Sequence, residues 1–233
     1  MEFKVIIEEI NELTMKTIKN KNIKIIKNNK QSYLKVFASG ILIGCLTRLL
    51  DFCSMDSLWG FSSIQTLLGF WMITNTLIVL FSSSNLVAGL SSFIYMFAMT
   101  LSFYGLQPIL GIFIPLFTDG FRFSLFLMFT ILSIPCALAA YILYYWNEDK
   151  VYNSILYALP VGALLSETIA TFVNLLINHT FLFQFLMDLI GGSVFAVLFF
   201  KKAKNKALYF ISIIVSTIIF YFVLYHKEVA AWL

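Results

Sequence analysis

Apolar residues run along this chain in blocks of about twenty, separated by short clusters of lysine, acid, proline or glycine. The longest block is extreme: the 62 residues from 57 to 118 contain no Asp, Glu, Lys or Arg. A bilayer core of about 30 Å takes roughly 20 apolar residues of helix, so this run alone holds at least two spans. Blocks of this kind predict membrane helices at about 33–52, 61–83, 85–105, 123–146, 152–178, 180–200 and 207–225. The expected fold is all-α, a polytopic transmembrane bundle of about seven spans.

The segment Leu106 to Arg122, LQPILGIFIPLFTDGFR, breaks the pattern. Pro108, Gly111 and Pro115 leave an uninterrupted apolar part of only about half a span, so an apolar outer loop at 106–122 is expected instead of a crossing helix. It reads either as a re-entrant or interfacial cap over an outward cavity, or as a connector lying on the lipid surface. Pro135 and Pro160 fall inside predicted helices, where the missing N–H kinks the chain.

Composition removes whole classes of function. Of 233 residues 60% are hydrophobic and 12% charged, with a mean hydropathy of +0.89, against about 25% charged in soluble proteins. One helical bundle uses up the length, leaving no room for a separate water-soluble catalytic domain. With the N-terminus in the cytoplasm, all of the 16 Lys and Arg except Arg48, Arg122 and Lys227 fall on the cytoplasmic side, which predicts N-in and C-out. Insertion topology thus accounts for the net charge of +4, and no nucleic-acid partner is expected. Residues 1–32 form a cytoplasmic segment apart from the transmembrane domain at 33–233. Within it VIIEEINELTMKTI (5–18) has the spacing of an amphipathic helix, and the lysine-rich KNKNIKIIKNNK suits an anionic leaflet. This segment is either an orientation signal alone or a docking element for cytoplasmic proteins or lipid. It lacks the compact apolar core and cleavage site of a secretory signal, so it is expected to stay on the chain.

Polar residues inside the spans carry the candidate chemistry. A carboxylate in mid-helix costs at least about 2.5 kcal/mol on insertion scales, so it needs a partner, a proton or water. Glu167 and Asp188 are the two such acids. Glu167, Thr171, Asn174 and Asn178 stack on one face of the fifth helix, and Gln184, Asp188 and Gly191 or Gly192 on one face of the sixth. The short link near His179 makes these helices an antiparallel hairpin. Equal depth then sets Asn174 beside Gln184, Thr171 beside Asp188, and Glu167 beside Gly191 and Gly192. On the first helix Gly40 and Gly44 form a small-residue packing face. Arg48 follows one turn later and reaches either down to the acids or up to the headgroups, with Asp51 as its simplest partner. Trp71 and Asn75 lie at membrane depth in the second span, as interhelical glue or as one wall of a ligand site. Trp59 and Trp146 fall where the interfacial tryptophan belt is expected.

Enzyme chemistry finds no footing. No G-x-S-x-G, H-E-x-x-H or phosphate-cradling glycine loop occurs, and no histidine lies deep in a span. Cys45, Cys53 and Cys136 have no metal-like spacing, and His179 and His226 are far apart, so neither a metal site nor a cofactor is expected.

GILIGCLTRLLDF, SLWGFSSIQTLLGFW and the intramembrane acid in VGALLSETI resemble an uncharacterised family of small bacterial multi-pass membrane proteins. That resemblance implies the bacterial cytoplasmic (inner) membrane and supplies no activity. By architecture the chain is also similar to the substrate-binding membrane subunits of energy-coupling-factor transporters, which are small bundles with an outward pocket and a capping loop. Gly40 and Gly44 stand where those have alanines, and a seventh helix is extra.

Two functions follow as expectations. The first is a non-enzymatic protein that binds a small solute or cation in an outward-facing pocket among helices one, two, five and six, for transport. Glu167 and Asp188 supply charge or proton coupling there, Arg48 balances them or holds an anionic group, and Trp71, Asn75, Thr171, Asn174 and Gln184 line the rest. The alternative is an assembly or regulatory subunit of a membrane complex, whose polar residues fix helix register and whose basic N-terminal segment docks a partner.

Overall fold

Six of the expected spans fold as helices long and apolar enough to cross a bilayer; the second is shorter. The computed structural model describes residues 24–54, 56–65, 67–117 and 120–232, so the amphipathic segment expected at 5–18 lies outside the described residues. The helices are α1 (Lys30–Leu49), α2 (Gly69–Phe81), α3 (Asn85–Gly111), α4 (Phe123–Leu143), α5 (Asn153–Asn178), α6 (Leu182–Lys202), α7 (Lys206–Phe220) and α8 (His226–Trp232). A 3₁₀ turn at Phe61–Gln65 precedes α2, and a π-helical turn at Tyr221–Tyr225 joins α7 to α8. Asn29, Ser84 and Asn205 cap α1, α3 and α7, each side-chain oxygen accepting from the N–H three residues on. Such caps satisfy backbone donors that the first turn leaves orphaned.

The apolar loop expected at 106–122 is shorter than the spacing of its prolines suggests. α3 runs through Pro108 to Gly111, because one missing N–H close to the helix end does not stop it. The remaining loop makes a 3₁₀ turn at Pro115–Phe117 that tucks in the Phe117 ring and leaves Ile112 and Phe113 exposed.

The bundle is built in two groups. α3 packs between α1 and α4, and α5 packs between α6 and α7. The short α2 stands between the groups, touching α3 and α4 on one side and α5 and α6 on the other. Its C-terminal end is tied to the lysine-bearing end of the protein, where Ile26 N–H donates to Phe81 O (3.1 Å) and Ser83 N–H to Ile26 O (3.0 Å). Lys24 also docks there, its ammonium 4.9 Å from the Tyr144 ring centre and 3.4 Å from Leu80 O. Burial, with Lys202 nearby, lowers that ammonium to about 8. From this anchored end the 13 residues of α2 rise about 20 Å, well short of a full span. The helix therefore begins inside the bundle.

The segment leading to α2 is held by bonds of its own. Ser63 N–H and Oγ–H both donate to Gly60 O (3.0 and 2.6 Å), and Leu67 N–H donates to Ser63 O (3.2 Å). Irregular backbone at membrane depth is tolerated where it is buried in protein, as Ser63 and Ile64 are here. Trp146, expected in the interfacial belt, is instead core: it is 1% exposed and stacks on Tyr157 and Phe199 at ring separations of 5.2 Å.

Small residues set the closest helix contacts. A Cβ on Gly40 would stand 2.8 Å from Ala98 Cβ of α3, and one on Gly44 would stand 2.9 Å from the Met99 carbonyl carbon and overlap Ser102 Oγ. Across the other group, a Cβ on Gly162 of α5 would come 2.8 Å from Ser216 Cβ of α7. Gly44→Leu is expected to destabilise the purified protein by about 1–3 kcal/mol or to block folding, because the obstacle is backbone. Gly105, with nothing within 4 Å of its would-be Cβ, is the control: Gly105→Ala is expected to be neutral or to gain up to about 1 kcal/mol. Melting temperatures of the two variants in one detergent check both.

Candidate functional site

The α5–α6 hairpin decides which polar residues meet. Its turn holds two non-glycine residues in the left-handed region, His179 (φ 55°) and Phe181 (φ 69°). Between them the chain folds back along the end of α5, so that Thr180 Oγ–H donates to Asn174 Oδ1 at 2.6 Å. α6 consequently starts about one turn lower than an equal-depth hairpin would place it. Gly191 and Gly192 lie against Leu164, with would-be Cβ distances of 3.9 Å to its Cδ1 and 3.5 Å to its Cβ. Glu167, not Thr171, therefore meets Asp188, which corrects the register expected from depth alone.

The two carboxyls lie against each other, and both are shut off from solvent, Glu167 at 1% and Asp188 at 0% exposure. Each has a neighbour outside the residues expected from the sequence. Tyr225, in the π-helical turn after α7, donates its hydroxyl proton to Glu167 Oε2. Gly69, the first residue of α2, receives the Asp188 carboxyl on its Cα: a Cβ there would stand 2.6 Å from Asp188 Cγ. Leu68 at the start of α2 offers no side-chain cap, so an acid arrives where a helix end carries partial positive charge. Thr171 contributes no side-chain contact to the carboxyls; its hydroxyl donates to the backbone oxygen of Glu167 (2.8 Å). Gln184, one turn along α6 from Asp188, is fully buried and neither its amide nitrogen nor its oxygen has a hydrogen-bond partner.

The remaining candidates lie elsewhere, so the site expected among helices one, two, five and six divides. Arg48 pairs with Asp51 (Nη1–Oδ2 2.8 Å) and is held between the rings of Phe103 and Phe117 at 4.8 and 4.6 Å, under the 112–117 loop. It belongs to the α1–α3 contact and does not balance the acids. Trp71 turns toward α3 and α4, packing with Tyr95, Met96 and Phe129. Asn75 accepts from the Ser92 hydroxyl of α3 and donates to Trp71 O at 2.9 Å, which joins α2 to α3. A Cβ on Gly191 would stand 2.8 Å from Ile73 Cδ1 of α2, so its role is packing. The helices that build the acid site are α2, α5 and α6 together with the turn after α7.

Two signals for the missed residues were present in the sequence. Gly69 sits in the middle of an apolar block, where an isolated glycine weakens a continuous helix. Tyr225 is a polar-tipped ring near the end of the last block, and a buried tyrosine hydroxyl seeks an acceptor.

A cavity of about 230 Å³ opens at the lysine-bearing end, lined by Ile25, Ile26, Gln31, Ser32 and Lys35 among others, on the far side of the bundle from the hairpin tip. No known family profile, curated protein or solved structure matches the chain. The resemblance carried by GILIGCLTRLLDF and its companion segments rests on those motifs alone. What stands independently is an integral membrane bundle of apolar helices with an acid pair at its centre.

Removing the Tyr225 hydroxyl isolates the Glu167 contact. Tyr225→Phe is expected to cost about 1–3 kcal/mol, the penalty for a buried acceptor that loses its donor. Tyr221→Phe, one turn earlier, should cost less than about 0.5 kcal/mol. Equal losses in a denaturation series would show that the π-helical turn acts by packing alone.

Proposed function

We propose that this is a non-enzymatic protein of the bacterial cytoplasmic membrane that binds a cation, proton or metal ion, at the Glu167–Asp188 pair and uses it to drive passage of a small solute. The observation that carries the reading is the contact between two acids inside the bundle. Two unit charges about 4 Å apart at an effective dielectric of 20 repel by about 4 kcal/mol, and desolvating each adds several more. A bound cation removes both costs together. The arginine best placed by sequence to balance the pair is committed instead to Asp51 and two phenylalanine rings. The buried, unpartnered amide of Gln184 supports the same reading, because polar groups left unsatisfied in a core are characteristic of sites that take a ligand or water. Energy for transport would come from an ion gradient or a partner protein, since the chain carries no phosphate-binding loop.

Melting of the purified protein in nanodiscs tests the site. Raising the concentration of H⁺, Na⁺, K⁺ or Ca²⁺ in turn should stabilise the wild type with at least one of them, by about 2.7 kcal/mol at a hundredfold excess over its dissociation constant. Asp188→Asn and Glu167→Gln should abolish that response. A response identical in wild type and both variants for all four cations would end the proposal.

A further inference from the structure

We propose that the cation held by Glu167 and Asp188 is a single proton, shared between the two carboxyls, with Tyr225 and the inner end of α2 built to stabilise the one negative charge that remains. This rests on the reading of the pair as a cation site and specifies what it takes.

The geometry leaves little room for anything larger. Gly191 and Gly192 against Leu164 set α6 on α5 one turn from the acids, which brings Glu167 and Asp188 to the same level, both shut off from solvent. Behind Asp188 the Cα of Gly69 is so close that even a methyl group would overlap the acid. One Glu167 oxygen is taken by the Tyr225 hydroxyl. A hard metal ion of the Ca²⁺ or Mg²⁺ type requires six or more oxygens around it, at 2.0–2.6 Å. A proton requires two oxygens in contact. Carboxylates alone are acceptors only, so the contact becomes a hydrogen bond when one of them carries the proton and donates it to the other.

The surroundings match one residual charge. With one proton the pair is singly negative. The start of α2, worth about half a positive charge, lies beside it at Gly69, and the Tyr225 hydroxyl donates to it. α2 contains no titratable side chain, and Phe61–Gln65 contributes none. On α6 the lysines are at the far end, as is Lys206 on α7. His226 and Lys227 of α8 are exposed, and the neighbouring titratable groups on the π-helical turn are Tyr221 and Tyr225.

Infrared difference spectroscopy of the full chain in nanodiscs separates the outcomes, with choline used to hold ionic strength constant. The expected result is a protonated-carboxyl band, about one per chain, that disappears as pH rises and is altered in both Asp188→Asn and Glu167→Gln. Its titration midpoint should correspond to a change in proton affinity of less than about twofold when Na⁺ or Ca²⁺ is raised roughly a hundredfold, since ions that do not share the site have no linkage to it. A midpoint that moves with Na⁺ or Ca²⁺ would overturn the proton assignment and leave the cation site standing. A band unaltered in both variants, with no cation dependence in the wild type, would remove the site itself. Should Asp188→Asn fail to fold, Glu167→Gln and the wild-type salt series still decide between these results.

Discussion

A carboxyl resting on the Cα of a glycine, inside the membrane, is the contact on which this bundle turns. Asp188 and Gly69 meet because α2 begins halfway through the protein and brings a bare backbone to the face of α6. Any residue with a Cβ at position 69 would force α6 away. The short helix also stands between two helix groups, one centred on α3 and the other on α5, and touches both. Its position therefore fixes the spacing of the groups and the depth of the acids together. A helix start at membrane depth carries partial positive charge with no water to screen it, so an acid opposite it is favoured where an apolar side chain would only fill space.

Strain gathers around the same place. Phe181 holds a left-handed backbone conformation that a bulky residue rarely adopts, and Gly60, also left-handed, lies under it. Leu182 and Phe183 donate backbone N–H bonds to Leu58 O and Trp59 O at 2.9 and 3.3 Å, strapping the loop before α2 to the hairpin tip. The rings of Trp59, Phe61 and Phe183 stack over that seam. At the other side, a π-helical turn replaces the last turns of α7 and presents Tyr225 to Glu167. Both irregularities position groups around the acids, as π-bulges and strained residues commonly do at functional sites.

Much of the fold was legible because membrane insertion leaves a coarse and redundant signal. Apolar blocks gave the long helices, and the spacing of Glu167 and Asp188 on their helices singled out the acids. The exact neighbours were not legible, for definable reasons. Periodicity reports which face a residue occupies, whereas register depends on how the chain turns, and here Thr180 bends back to Asn174 and moves α6 by about a turn. Hydropathy is equally satisfied by a helix over 61–83 and by an irregular stretch followed by a half-helix, so Gly69 passed as a residue inside a span. Arg48 lies on a helix of the other group, and no sequence spacing tells which group a helix joins.

The division of the expected pocket also clarifies what each polar residue is for. Arg48 with Asp51, and Asn75 with Ser92, have partners within one helix group or between α2 and α3, and their hydrogen bonds are made. They hold helices. Asp188 and Gln184 are buried to the same degree but end without a donor or acceptor of their own, and Asp188 is pressed against a second acid. An unmade hydrogen bond at full burial costs about 1–3 kcal/mol, more for a charge. Polar groups that carry such a cost are what the proposed cation site would account for. The same bundle thus contains polar pairs bonded to each other, which explain its architecture, and a buried acid pair near an unpartnered amide, on which the proposed cation binding rests.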